Sequence, residues 1–355
     1  MGMNPVRSLD GKNARNYSFQ IACIKSFKIY QSITSNGMKK VVVVGGGSGT
    51  FNVLKGLKHH PVHLTAIVTA FDNGGSSGIL RDEFGTLPAG DVRRCLVALA
   101  PDEGDATLRD LFNYRFKSDS SLRGHSFGNL FLQALNDVAG NEVDAIERAG
   151  KLLGIKGVVL PVSTDNAHLC AELENGEVIK GETNIDIPKH DGALKIKRVF
   201  LSPDARINPR AAEALEQADL IVFGPGDLYS SIIPNMLVKG FSESVVRSRA
   251  KTVMVVNAMT KWGETNHFKA SDFARQLLHY LGLPVLDALV CNASELRGEL
   301  VQKYAFERAY PVIVDEKTLH SYAKKILRHD VVSQSDVVRH DAQKLSRVLV
   351  DFLAQ

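Results

Sequence analysis

The chain has 355 residues, 44% hydrophobic and 23% charged, with a formal net charge of +4. Such proportions belong to globular proteins rather than disordered chains, and no run approaches the ~20 apolar residues of a membrane-spanning helix, so membrane insertion is not expected. The charge is local: between Met1 and Gly37, Arg7, Lys12, Arg15, Lys25 and Lys28 face Asp10 alone, and the remaining 38 basic and 38 acidic residues balance, which argues against a nucleic-acid surface on the body of the chain.

Residues 1–37, rich in Ser, Asn and Lys and without apolar periodicity, read as a poorly ordered leader or an upstream start; their basic, acid-poor composition also suits a transit peptide. Residues 38–355 read as one domain. The β-branched run Val41–Val44 predicts the first strand. Gly45-Gly46-Gly47-Ser48-Gly49-Thr50 follows, then a helix over Phe51–Leu57 with Val53 and Leu57 on one face. Leu64–Ala70 predicts the second strand, ending in Phe71-Asp72-Asn73-Gly74-Gly75-Ser76-Ser77-Gly78. A helix-rich stretch covers Asp91–Leu153. Strands are then expected at Val158–Leu160, Leu169–Leu173, Ile196–Leu201, Leu220–Phe223, Thr252–Asn257 and Ala288–Cys291, and a closing helix near Asp341–Leu353. Alternating strands and helices make a doubly wound, mostly parallel α/β sheet with helices on both faces. Ligands of such sheets bind beyond the carboxyl ends of the strands, at a topological switch point. The loops that begin at Gly45, Asp72, Gly224 and Asn257 all follow strands, so all four are expected to open on one crevice.

Each loop carries candidate binding residues. Gly45, Gly46, Gly47 and Gly49 permit close backbone approach, Ser48 and Thr50 add hydroxyls, and a helix start behind them suits phosphate. The loop lacks the Lys of a P-loop, and Thr50 stands where a dinucleotide fingerprint has its third glycine. Asp72 is placed to hold ribose or a Mg²⁺ ion, with Asn73, Gly74, Gly75, Ser76 and Ser77 as further groups for a ligand. Asp91 is either the N-cap of the helix from Val92 or a ligand contact; Arg93 and Arg94 suit phosphates. In Gly124-His125-Ser126-Phe127-Gly128-Asn129-Leu130, His125 is a donor to phosphate or base, with Ser126 and Asn129 beside it. No strand precedes this segment, so it is not a nucleophile elbow. In Gly224-Pro225-Gly226-Asp227-Leu228-Tyr229-Ser230-Ser231, Tyr229 is a candidate to stack on a base or sugar, and Ser230 and Ser231 to bind phosphate. Asn257 completes the set. Asp91 and His125 are the only side chains that suggest acid–base catalysis. His59, His60 and His63 are spaced irregularly around Pro61 and read as a polar turn rather than a metal site. Cys23, Cys95, Cys170 and Cys291 have no paired spacing, which fits a reducing cytoplasm rather than a disulfide or zinc framework.

Taken together these motifs resemble the bacterial gluconeogenesis-factor family of the CofD-like superfamily. The matching residues are Gly45–Gly49, Asp72–Gly78, Gly90-Asp91-Val92-Arg93, Gly124-His125-Ser126, Gly128-Asn129-Leu130, Gly224-Pro225-Gly226, Tyr229-Ser230-Ser231, Ile232-Ile233-Pro234 and Gly263-Glu264-Thr265. The resemblance runs from Met38 to the C-terminus. It implies a Rossmann-like core and a pocket for UDP-sugars of the UDP-N-acetylglucosamine type, in a regulator tied to gluconeogenic growth and cell shape. The CofD branch implies instead an enzyme that moves a phospholactyl group from a guanosine diphosphate donor to a deazaflavin with Mg²⁺. A dinucleotide enzyme using Asp72 on ribose is a third reading. A cytoplasmic homo-oligomer is expected. The chain departs from many relatives in having Ser48 for Thr, Asn73 for a second acid, Arg94 for Asn and Asp227 for Ser. An acid at 227 is an awkward neighbour for phosphate.

Overall fold

In chain order the strands are β1 (Lys39–Gly45), β2 (Val62–Val68), β3 (Val158–Pro161), β4 (His168–Leu173), β5 (Val178–Lys180), β6 (Ile196–Ser202), β7 (Leu220–Phe223), β8 (Lys251–Val255), β9 (Leu286–Asn292) and β10 (Ala323–His329), with a short hairpin of β11 (Val332–Gln334) and β12 (Val338–His340). The structure, a computed structural model, describes residues 37–355 apart from 105, 118 and 120. Except for Gly37, the segment read as a leader lies outside the described residues. Seven strands form one sheet in the order β10-β9-β8-β7-β1-β2-β3, parallel throughout. Strands β5-β4-β6 form a separate antiparallel sheet.

Side chains of successive strand residues point to opposite faces, and here both faces are apolar. Val42, Val44, Ile67, Ile221, Phe223, Met254 and Leu289 join one buried cluster. Val41, Val43, Ala66, Val68, Val222, Val253 and Val290 join the other. This explains why the strands read as unbroken apolar runs rather than as alternating patterns. Helices Gly47–Leu57, Gly90–Leu99, Glu142–Leu153 and Ala342–Ala354 cover the second face. Helices Phe241–Arg247 and Ala270–Leu281, with the antiparallel sheet, cover the first. The expected doubly wound architecture is therefore present. Strand β10 has no counterpart in the sequence reading: Ala-Lys-Lys-Ile-Leu-Arg-His is a half-exposed edge strand with too few apolar residues to announce itself.

Topology sets the position of the site. The chain steps from β1 outward to β2 and β3, then returns to lay β7, β8, β9 and β10 on the other side of β1. The switch point lies between β1 and β7. Register brings the strand ends level there: Gly45 pairs with Val68, Val44 with Phe223, and Phe223 with Met254. Because Lys39–Gln355 form one compact unit, a protein shortened to begin at Met38 is expected to melt within a few degrees of the full chain. A loss of ten degrees or more in differential scanning calorimetry would place part of the fold upstream.

Candidate functional site

The first loop is tighter than its sequence suggests. The helix begins at Gly47, not Phe51, with Gly46 at its N-cap in extended geometry and no side chain capping it. A first turn of Gly-Ser-Gly-Thr has poor propensity but is fixed by contact. A Cβ on Gly49 would lie 1.8 Å from the Pro225 carbonyl oxygen. On Gly46 it would lie 2.7 Å from Ser231 Oγ, and on Gly47 2.5 Å from Asp91 Oδ1. Three segments thus meet at the switch point with no room for side chains. Thr50 Oγ1 is buried beside Gly45 and has no partner.

Asp91 corrects one expectation: it is not an N-cap. Helix Gly90–Leu99 has Ala89 in that position, and the Asp91 carboxylate instead lies against Gly47, at the start of a different helix. Arg94, one turn on, donates to Ser48 Oγ at 2.6 Å and remains half exposed at the mouth of the crevice.

In the second loop, Asp72 Oδ1 accepts the Gly74 N–H at 2.7 Å. Gly75 opens helix Gly75–Phe84 with a positive φ of 46°. Ser76 Oγ pairs with His125 Nδ1 at 3.1 Å, which ties the second loop to the buried His125. Four further expectations need correction. Asn73 is committed to the protein, its Oδ1 accepting the Thr183 N–H at 2.9 Å. Ser126 caps helix Phe127–Ala139 through the Asn129 N–H. Asn129 is buried, accepting from Arg93 Nε and donating to Ser77 Oγ. Arg93 is committed to Asn129, Asn113 and the Phe112 carbonyl rather than to a phosphate.

The third loop departs most from expectation. Tyr229 is only 2% exposed and its ring packs edge-on against Phe268 in the core, so it offers no stacking surface. Ser230 is likewise buried, its hydroxyl donating to Glu264 Oε1 at 2.8 Å, while Glu264 Oε2 accepts the Tyr229 N–H at 3.0 Å. Asp227 pairs with Lys261 Nζ at 2.8 Å, which removes its conflict with an anionic ligand. Half-exposed Ser231 and Gly226 are left at the crevice, and the Gly226 N–H approaches Asn257 Oδ1 at 3.4 Å. Beyond Asn257, at the carboxyl ends of β8 and β9, lies a cavity of about 300 Å³, walled by Val256, Leu296, Val301 and Val312 with Asn257, Asn292, Ser294 and Glu295 as polar groups.

The crevice is rich in carboxylates that suppress one another's charge. Burial raises the Asp91 carboxyl to about 7, with Asp72 adding to the shift and Arg94 opposing it. Burial likewise raises Glu182 to about 9, reinforced by Asp72, Asp186, Asp91 and Glu264. Glu264, raised to about 7 by burial, is held down in part by Lys261. Asp72 also lies above the ordinary carboxylate range, again through burial. Glu182, Asp186 and Lys261 are residues that sequence reasoning does not single out. Gly181 precedes Glu182 and Gly263 follows Lys261, but neither follows a strand-end loop of the kind that marks the crevice, and only the fold brings these side chains here.

The family of the 2-phospho-L-lactate transferase CofD matches residues 41–332. A gluconeogenesis factor of Bacillus subtilis is 40% identical over 319 residues, which span 89% of this chain and 98% of the relative. One from Halalkalibacterium halodurans is 42% identical over 315 residues, spanning 88% and 96%. The crystal structure of a Bacillus halodurans protein matches with a TM-score of 0.83 at 40% identity, covering 88% of this chain and 100% of that one. Among the described residues, no helix is long and apolar enough to cross a membrane.

Proposed function

The chain belongs to the gluconeogenesis factor family within the CofD-like superfamily, and we propose that it binds a nucleoside diphosphate sugar of the UDP-N-acetylglucosamine type as a regulator of carbon metabolism and cell shape. The observation that carries this reading is the convergence of four strand-end loops on one switch point beside a cavity of about 300 Å³. The first-turn N–H groups of helix Gly47–Leu57 and the exposed guanidinium of Arg94 suit the diphosphate. The cavity, largely apolar with Asn257, Asn292, Ser294 and Glu295 to meet polar edges, suits a nucleobase, two strand spacings or roughly 10 Å from the β1–β7 crevice. Asp72 and Asp91 are the side chains that would hold Mg²⁺: hard oxygen donors whose mutual repulsion a divalent ion relieves. Bound there, the ion would neutralise the diphosphate beside these acids.

Calorimetric titration with UDP-N-acetylglucosamine, GDP and NAD, each with and without Mg²⁺, tests the reading. The expected result is preference for the UDP-sugar, strengthened by Mg²⁺. Equal or better binding of NAD would sink it. The alternative, a CofD-type transferase, draws support from Asp91, whose carboxyl titrates near neutrality beside the phosphate loop. Steady release of a nucleoside monophosphate in the presence of an acceptor would favour that alternative.

A further inference from the structure

Lys261 lies in the segment that follows β8, and three carboxylates from separate parts of the chain converge on it. Asp186 ends helix Glu182–Asp186 beside the antiparallel sheet, and Asp227 belongs to the loop after β7. Glu264, on Lys261's own segment, is fully buried at the base of the group. Lys261 Nζ bonds Asp186 and Asp227 directly and stands 3.3 Å from Glu264 Oε1. Glu264 in turn holds the Tyr229 N–H and the Ser230 hydroxyl, the start of the turn that presents Ser231. One ammonium therefore links the small antiparallel sheet, the third loop and the segment after β8. Burial works against that charge, but Glu264, Asp227 and Asp186 outweigh it and push the ammonium above its usual range.

We propose that Lys261 is a positioning residue of the ligand crevice, a built-in cation that holds the Gly224–Ser231 loop and the Glu182–Asp186 helix in register with the Gly45–Thr50 loop. The three carboxylates offer oxygens all within 4.8 Å of one another. They present hard oxygen ligands of the kind that bind small divalent ions, so the ammonium occupies a position such an ion could fill. If its charge is what matters, deleting the side chain makes loop order, and with it ligand affinity, dependent on an external ion. A mere space-filling role makes no such demand.

The proposal rests in part on the nucleotide-sugar reading, so its test has one arm that does not. In that arm Mn²⁺ alone is titrated and bound equivalents are counted by electron paramagnetic resonance. Lys261→Ala, which leaves room, is expected to take up one more Mn²⁺ than the parent. Lys261→Met, which fills the space without charge, is expected to take up none beyond the parent. In the other arm, UDP-N-acetylglucosamine affinity is expected to fall by about tenfold or more in both variants. Mn²⁺ should restore it in Lys261→Ala only, and Lys261→Arg should stay near the parent. Unchanged affinity in Lys261→Met, or no extra Mn²⁺ in Lys261→Ala, overturns the proposal. A parent that does not bind the nucleotide sugar sinks the earlier reading alone, and the Mn²⁺ count still decides this one. Should Lys261→Ala fail to fold, the comparison of Lys261→Met with Lys261→Arg decides.

Discussion

Gly49→Ala is expected to lower the melting temperature by on the order of 6 °C or more and to abolish nucleotide-sugar binding. The added methyl would lie 1.8 Å from the Pro225 oxygen and 2.5 Å from its carbonyl carbon. Both atoms are backbone, so no rotamer change relieves the clash, and the two loops must part. Overpacking of this kind costs about 3 kcal/mol, and in a protein of this size each kcal/mol moves the melting point by roughly 2 °C. The Gly224–Ser231 loop also provides an internal control. A Cβ on Gly226 meets only ordinary contacts, at 3.6 and 3.7 Å, so Gly226→Ala should keep the parent stability. Calorimetry on the two variants decides the matter: equal melting points would mean that the first and third loops do not touch as described.

The second large effect concerns pH. Glu182 ionises near 4.5 in the unfolded chain but is pushed to about 9 in the fold, first by burial and then by Asp72, Asp186, Asp91 and Glu264. A folded value above the unfolded one means that the native state favours the proton. Its contribution to stability is intact below about pH 4.5 and is lost as pH rises toward 9. Glu182→Gln mimics the protonated acid without the cost of retaining the proton. At pH 8 it should therefore be more stable than the parent by on the order of 3 kcal/mol, a gain of several degrees, and at pH 4.5 the two should melt together. Because the same carboxylates are the expected Mg²⁺ ligands or their neighbours, Mg²⁺ should raise the parent melting point at pH 8 more than at pH 5. A variant that gains equally at both pH values would show that Glu182 acts through packing rather than charge.

Much of this was legible in the sequence, for identifiable reasons. Strands buried on both faces leave unbroken runs such as Val41–Val44, and glycines mark the places where backbones meet. Side-chain direction was not legible. Tyr229 looked like a stacking group because it follows a Gly-Pro-Gly turn, but the π-helical turn Leu228–Ile232 directs its ring into the core. Asp91 sits two residues past the N-cap of its own helix, and nothing local announces Gly47 as its neighbour. Asn73 is engaged by Thr183, 110 positions away. Glu182, Asp186 and Lys261 arrive by equally long routes, and no local pattern encodes a meeting of that kind.

The strand order also bears on synthesis. Of the described strands β1 is made first, yet it occupies the middle of the sheet, between β2 and β7. Its second edge is closed only by residues some 180 positions later, where Lys39 meets Asp219 and β7 begins. At 5–20 residues per second that interval lasts roughly 10–40 s. Throughout it the nascent chain presents an apolar strand with an unpaired edge, the kind of surface that chaperones bind and that aggregates when left alone. The crevice, half of which is built from Gly224 onward, does not exist until that edge is closed, so a growing polypeptide cannot draw on a ligand bound there to stabilise the fold early.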